Sequence, residues 1–232
     1  MKIPIIYEDN HLLVVNKPPN ILSQADKTGD EDMLTLLKED IKQRYNKPGN
    51  VYLGLVHRLD RPAGGVMVFA KTSKAASRLS NQVRLREIIK TYVTVVHGKP
   101  KDTARLQHYL VKNPETNMVS VVDKRVAGAK EAVLDYQLLE NKGALSLLRV
   151  NLVTGRSHQI RVQLAASGHP ILGDQRYGAT ANKPGQQIAL FCQEITCMHP
   201  TRQEPMTFTQ SPGDTYPWNL FPLHTQDSKG GI

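Results

Sequence analysis

The stretch Val56-His57-Arg58-Leu59-Asp60-Arg61-Pro62-Ala63-Gly64-Gly65-Val66 sets a lone carboxylate, Asp60, between two arginines and ahead of a proline and two glycines. It runs directly into Val66-Met67-Val68-Phe69-Ala70-Lys71, a β-branched and apolar segment that reads as a buried strand. Cationic neighbours favour a charged carboxylate, and glycines remove side-chain bulk where another part of the chain must come close. Read alone, Asp60 is either a turn residue in a structural salt bridge or a nucleophile or base carried on the turn that opens a core strand.

On the N-terminal side, residues 3–7 and 11–17 read as two short strands, the second stopped by Pro18-Pro19. A polar run to Asp32, read as a mobile loop, precedes Met33 to Tyr45. There Leu34, Leu37, Ile41 and Tyr45 recur at helical spacing, with Asp30 or Asp32 as cap. After the Val66–Ala70 strand, Thr72 or Ser73 caps a helix with Ala75, Ala76, Leu79 and Val83 on its apolar face and Lys74, Arg78, Arg84 and Arg86 on its other side and end. Tyr92 to Val96 alternates as a strand, and 104–112, 117–123, 131–139 and 144–153 read as further strands. Ser157 is expected to cap a helix stopped by Gly168, with Arg156 and Arg161 near its positive end, where an anion is favoured. That anion is a phosphate or the Asp60 carboxylate. An exposed loop over 179–186 and strands at 187–197 and 206–209 complete the pattern. Strands outnumber helices and alternate with them irregularly, so the expected class is α+β, a mostly antiparallel central sheet flanked by helices. One domain is expected over 1–222, with a flexible tail over 223–232.

At 232 residues the chain can bury a substantial core, and its 40% hydrophobic and 22% charged composition is that of a soluble globular protein. A formal net charge of +9 points to a polyanionic partner, nucleic acid before an anionic membrane surface. No run of 18 apolar residues exists to span a membrane, and the opening residues break into charge too early for a signal peptide. Cys192 and Cys197 lie five apart on a strand, so alternation sends them to opposite faces, against a mutual disulfide or shared metal ligation. No histidine pair has the His-Glu-x-x-His spacing. A reducing, cytoplasmic setting without a metal is the reading.

Three blocks carry a resemblance. His57-Arg58-Leu59-Asp60 with its small pair, Gly and apolar strand resembles the signature of the RluA-type pseudouridine synthases. Lys90-Thr91-Tyr92-Val93, and Gly155-Arg156-Ser157-His158-Gln159-Ile160-Arg161 continuing to Gly173-Asp174, follow in that family's order. The likeness runs from about Ile5 to Phe208. It implies the pseudouridine synthase fold with an RNA-binding cleft and an isomerase that flips a uridine out of a ribosomal or transfer RNA stem-loop without any cofactor. Asp60 matches the catalytic aspartate, Arg161 the basic residue paired with it, and Tyr92 the tyrosine that stacks on the flipped base and relays the C5 proton. Arg58 matches the arginine that fills the gap left in the RNA. Arg156 and His158 are read as phosphate-binding or loop-bracing, and His57 as a hydrogen-bonded turn residue. The resemblance also implies a stand-alone catalytic domain without the N-terminal RNA-binding module of some relatives, and a monomer is expected. One departure is visible: Ala63-Gly64 stands where the commoner pattern has Thr-Ser. The rival readings are a non-catalytic RNA-binding or ribosome-assembly protein of the same fold and, last, a glycosidase, which ordinarily needs two carboxylates where the central motif supplies one.

Overall fold

In the computed structural model, which describes residues 2–221, the Val66–Ala70 run lies at the seam of one large sheet. Strand β4 (Gly64–Ala70) is buried along its whole length. Each fully buried Val, Met or Phe there contributes roughly 1.5–3 kcal/mol. β1 (Ile5–Glu8) forms a hairpin with β2 (Leu12–Lys17), and β2 runs antiparallel to β4. The turn between them closes on Asp9, whose carboxylate accepts the N–H groups of His11 and Leu12 at 2.7 Å each. The short β3 (Gly54–Leu55) also pairs with β4.

Helix α1 (Met33–Arg44) starts at Asp32, which accepts from Leu34 N at 3.0 Å and Thr35 N at 3.1 Å. Of the two expected caps it is therefore Asp32, while Asp30 is spent on Arg61. Tyr45, expected on the apolar face, instead ends the helix exposed, with the cations of Arg44 and Lys71 over its ring. Helix α2 (Ser73–Leu85) is capped by Thr72 and buries Ala75 and Leu79 as expected. On the following turn it also buries Gln82, whose amide exchanges two hydrogen bonds with the Met198 backbone. The run before Asp32, expected to be loose, is anchored by buried Ser23. Its hydroxyl donates to Leu59 O at 2.8 Å and accepts from Leu59 N at 3.1 Å.

The rest of the sheet is β5 (Ile89–His97), β6 (Thr103–Lys112), β7 (Val119–Val122), β8 (Lys130–Lys142), β9 (Leu145–Leu152), β10 (Leu190–Met198) and β11 (Pro205–Thr209). Its order is β1-β2-β4-β10-β5-β9-β8-β6-β7, with β11 on β10 and β3 on β4. Among the described residues the pairing is antiparallel except between β10 and β4, where Cys192 lies beside Gly65. This is the α+β, mostly antiparallel arrangement that the pattern predicted. Gly65 is obligatory at that contact. It sits at φ +121, and a Cβ there would lie 2.3 Å from Cys192 O.

The same register continues sideways. Gly65 is paired with Cys192, Cys192 with Tyr92, and Tyr92 with Val150. Gly65 thereby lies two strand spacings, about 10 Å, from Tyr92, and the Asp60 turn leads into the strand that carries Gly65. Helix α3 (Gln159–Ala166) follows β9. It is not capped by Ser157, as expected, because His158 takes the N-cap position in a left-handed backbone at φ 52, with no side-chain cap bond. Gln159 instead braces the loop ahead of the helix: its Oε1 accepts from Arg156 N at 2.9 Å and from the Thr154 hydroxyl at 2.8 Å. The expected exposed loop over 179–186 contains a 3-10 turn, Ala179–Ala181, and is pinned by buried Asn182, which bonds Gly173 N, Ile171 O and Gly178 O. Both cysteines remain free thiols in the core. No helix among the described residues is long and apolar enough to cross a membrane, and the tail over 223–232 lies outside them.

Candidate active site

Asp60 is held by a residue 101 positions away. Arg161 Nη1 lies 3.3 Å from Asp60 Oδ2, and this side chain is only 7% exposed against 25% for Asp60. The flanking arginines do not pair with it. Arg61 forms its ion pair with Asp30 at 2.7 Å, and Arg58 points outward without an ion-pair partner among the described residues. Asp60 Oδ1 accepts no hydrogen bond among the described residues, so the pair leaves one carboxylate oxygen available.

The firmer bond of Arg161 is to Asp174. Nε and Nη2 donate to its two oxygens at 2.8 Å each, and Asp174 is 1% exposed. Asp174 Oδ1 also accepts Arg176 N and Tyr177 N at 2.9 and 3.2 Å. Burial acts to raise the carboxyl pKa of Asp174, but the Arg161 guanidinium and these N–H groups overcome it and leave the value lowered. The fork geometry fixes Arg161 rigidly and aims its remaining nitrogen at Asp60. Asp174 is therefore part of the site, a role its place in the third block did not reveal. Spent on Arg161 and the backbone, it is no second working carboxylate.

Beneath the Asp60 turn lies Lys17, fully buried. Its ammonium donates to Ala63 O at 2.7 Å, Pro18 O at 3.0 Å and Arg61 O at 3.1 Å. Burial pulls its pKa down to about 7, against the opposing pull of the Asp60 charge. Lys17 thus staples both sides of the turn. The only sequence signal was a lysine closing an otherwise apolar strand. Gly64 packs where a Cβ would meet Lys17 O and the Phe191 ring at 3.2 Å. The Ala63-Gly64 departure is thus matched by Phe191, which fills the space beside Gly64.

His57 is buried, and its Nε2 accepts the Val68 N–H at 3.0 Å, so it is a structural residue of the turn. Burial, with a smaller push from Lys90, lowers its pKa to about 3. The unfolded chain then binds a proton that the folded one refuses between about pH 6.5 and pH 3. Stability from this group is full above about pH 6.5 and falls with pH through that window, by at most about 1.4 kcal/mol per unit. His57→Gln, which keeps an acceptor for Val68, is expected to flatten the slope in urea unfolding between pH 6.5 and 4. Parallel curves for both proteins would contradict this account.

Tyr92 is buried in the row beside Cys192. Burial first, and then the neighbouring Cys192 thiol and the Asp60 charge, raise its hydroxyl pKa well above the ordinary value. Tyr92 therefore stays a neutral phenol. Arg156 is exposed at the rim, with Nε donating to Glu131 O at 3.0 Å. His158 is half-buried, its ring 2.7 Å from the Tyr177 hydroxyl. Beside Arg161 and Asp174 opens a cavity of about 630 Å³, whose lining includes Asn20, Pro62, Gln175, Arg176, Gln187 and Ile188. Its volume lies in the range of ligand-binding clefts. No cluster of three or more metal-ligating side chains occurs among the described residues.

Residues 11–166 match the family model described as RNA pseudouridylate synthase. The chain belongs to that family. A ribosomal large subunit pseudouridine synthase C of Vibrio vulnificus is 31% identical over 219 residues, covering 90% of this chain and 66% of that protein. An uncharacterized RNA pseudouridine synthase of Bacillus subtilis is 33% identical over 208 residues, covering 88% and 66%. The chain thus spans just under two thirds of the length of these relatives. Among solved structures, human RNA pseudouridylate synthase domain containing 4 superposes with a TM-score of 0.74 at 22% identity, over 90% of this chain and 88% of that one. At that identity the likeness concerns the fold, and the pseudouridylate synthase fold is the one described above. The family's match takes in Asp60, Tyr92 and Arg161, whereas Asp174 lies beyond it.

Proposed function

We propose that this chain isomerises uridine to pseudouridine in structured RNA, with Asp60 as the catalytic group and ribosomal RNA as the first candidate substrate. The observation that carries the reading is the Asp60 carboxylate itself. It is partly exposed, has one oxygen on a rigid arginine and the other available, and sits on the turn leading into buried β4, which β10 alone separates from the strand of Tyr92. The relative named for the large ribosomal subunit supports ribosomal RNA.

The reaction breaks the N1–C1′ bond, turns the base over and joins C5 to C1′. C5 then loses its proton and N1 gains one. Asp60 either adds to C1′ or takes a proton from C2′ to give a glycal, and both routes need it charged. Arg161, oriented by Asp174, holds one of its oxygens in place. Tyr92, a neutral phenol, acts as a stacking wall for the base rather than as a phenolate base. The target atoms are out of reach in a stacked helix, so the uridine must be flipped out, and exposed Arg58 is placed to take its space. Arg156 and His158 contact phosphate at the rim. The chain acts as a monomer in the cytoplasm on this reading.

Mapping pseudouridines in total RNA from cells with and without this protein tests the proposal. Loss of one or a few sites is expected, and identical maps would reject it. Binding to an in vitro transcribed large-subunit rRNA is also expected to weaken as salt rises. The log–log slope should be about −0.7 to −0.9 per phosphate neutralised, because lysines and arginines displace counterions. A flat dependence would speak against a phosphate-tracking groove.

A further inference from the structure

Tyr177 joins more of the site than any assigned role uses. Its N–H is held by Asp174 Oδ1, and its ring lies 5.2 Å from the Arg161 guanidinium carbon. Its hydroxyl is 2.9 Å from Val119 N on β7 and 2.7 Å from His158 Nδ1. Around it a small apolar cluster of Leu110, Val119, Ala132 and Val162 packs the β6–β7 hairpin against α3.

Val119 N–H can only donate, so the Tyr177 oxygen accepts from it. That leaves the Tyr177 proton available for His158 Nδ1, while the alternative arrangement has a His158 Nδ1–H donating to the same oxygen. A neutral imidazole that accepts at Nδ1 carries its hydrogen on Nε2. The His158 backbone is itself constrained. A non-glycine residue at φ 52 is held in a sparsely populated region, and here the ring bond to Tyr177 and the start of α3 hold it. The Nε2 position has no partner among the described residues. The charged groups that act on the ring are Asp60 from the turn, Arg161 on its own helix, Arg176 beside Tyr177, and Lys112 at the end of β6. The cations among them outnumber the one carboxylate, so the ring stands in a field that suits an anion.

We propose that Tyr177 is a positioning residue that locks His158 as the neutral Nε2–H tautomer, so that the ring offers a single uncharged donor to a non-bridging phosphate oxygen of bound RNA. The phosphate assignment rests on the RNA-modifying function proposed above, whereas the tautomer lock does not. Burial, the three cations and the Tyr177 hydroxyl all oppose protonation of His158, and Asp60 alone favours it. Its pKa is accordingly lowered.

Two measurements test this. The first is ¹⁵N–¹H correlation on histidine-labelled enzyme, with His158 assigned by His158→Ala. The expected result at neutral pH is a protonated Nε2 and a bare Nδ1, with Tyr177→Phe mixing the tautomers and raising the titration midpoint. A proton on Nδ1, or an unchanged ring in Tyr177→Phe, overturns the lock whether or not the protein makes pseudouridine. The second is binding to the unmodified large-subunit rRNA transcript at several salt concentrations. His158→Ala is expected to weaken binding about tenfold with the salt slope unchanged, because a neutral donor displaces no counterion, whereas Arg156→Ala lowers the slope by about 0.7–0.9. Adding Tyr177→Phe to His158→Ala should cost less than about twofold more. A slope that falls with His158→Ala, or full additivity of the two changes, rejects the neutral phosphate contact. Circular dichroism melting of each variant guards against loss of fold, and a variant that melts early is judged by the ring spectrum of the intact enzyme.

Discussion

Asp60→Asn is expected to lower pseudouridine formation by at least about 10⁴-fold, the scale on which loss of a central catalytic side chain is felt. The change keeps the shape of the side chain and its contact with Arg161 Nη1, 3.3 Å away, but removes the negative charge. Without that charge the group can neither add to C1′ nor take a proton from C2′, so both routes close together. Affinity for the rRNA transcript is expected to change by less than about threefold, because the groups proposed to contact phosphate, Arg156 and His158 among them, are other side chains. Single-turnover assays on a transcript containing the mapped uridine, alongside filter binding, separate the two effects. Turnover equal to that of the parent would take Asp60 out of the mechanism.

The second large effect is on stability. Asp174→Leu is expected to cost about 3–5 kcal/mol, the usual penalty for removing one partner of a buried ion pair. Arg161 would keep only its longer contact to Asp60 while remaining 7% exposed, and the N–H groups of Arg176 and Tyr177 would lose their acceptor. Adding Arg161→Met in the same chain removes the stranded charge, so the double variant is expected to be more stable than Asp174→Leu alone. Urea unfolding of the parent, both single variants and the double variant closes the cycle. Asp174→Leu within about 1 kcal/mol of the parent, or strictly additive losses, would show that the guanidinium does not depend on this fork.

Much of the architecture was legible along the chain because it depends on short-range rules. A β-branched apolar run marked β4, alternation marked β5, helical spacing marked α1 and α2, and short polar residues offered Asp30 or Asp32 and Thr72 or Ser73 as caps, of which Asp32 and Thr72 serve. Where a local rule failed, a distant group had taken over. Ser157 caps no N–H of α3, and Gln159, its amide anchored on Val133 O, braces the loop ahead of the helix instead. Tyr45 left the apolar face for a surface stack between two cations.

The sequence by itself determined the reactive part, a carboxylate on a tight turn opening a buried strand, and the order of blocks that marks the family. The tertiary structure decided what surrounds that carboxylate. Adjacent residues on a turn or strand point to different sides, so Arg58 and Arg61 are neighbours of Asp60 in name only, and Arg61 serves Asp30. Charge pairing follows distance through space, and folding sets Arg161 against Asp60, Asp174 against Arg161, and Lys17 beneath the turn. The contacts of Asp60 and Lys17 join segments far apart in the chain, Arg161 and Asp174 meet across a loop, and in low-dielectric surroundings these pairings outweigh anything the flanking residues offer.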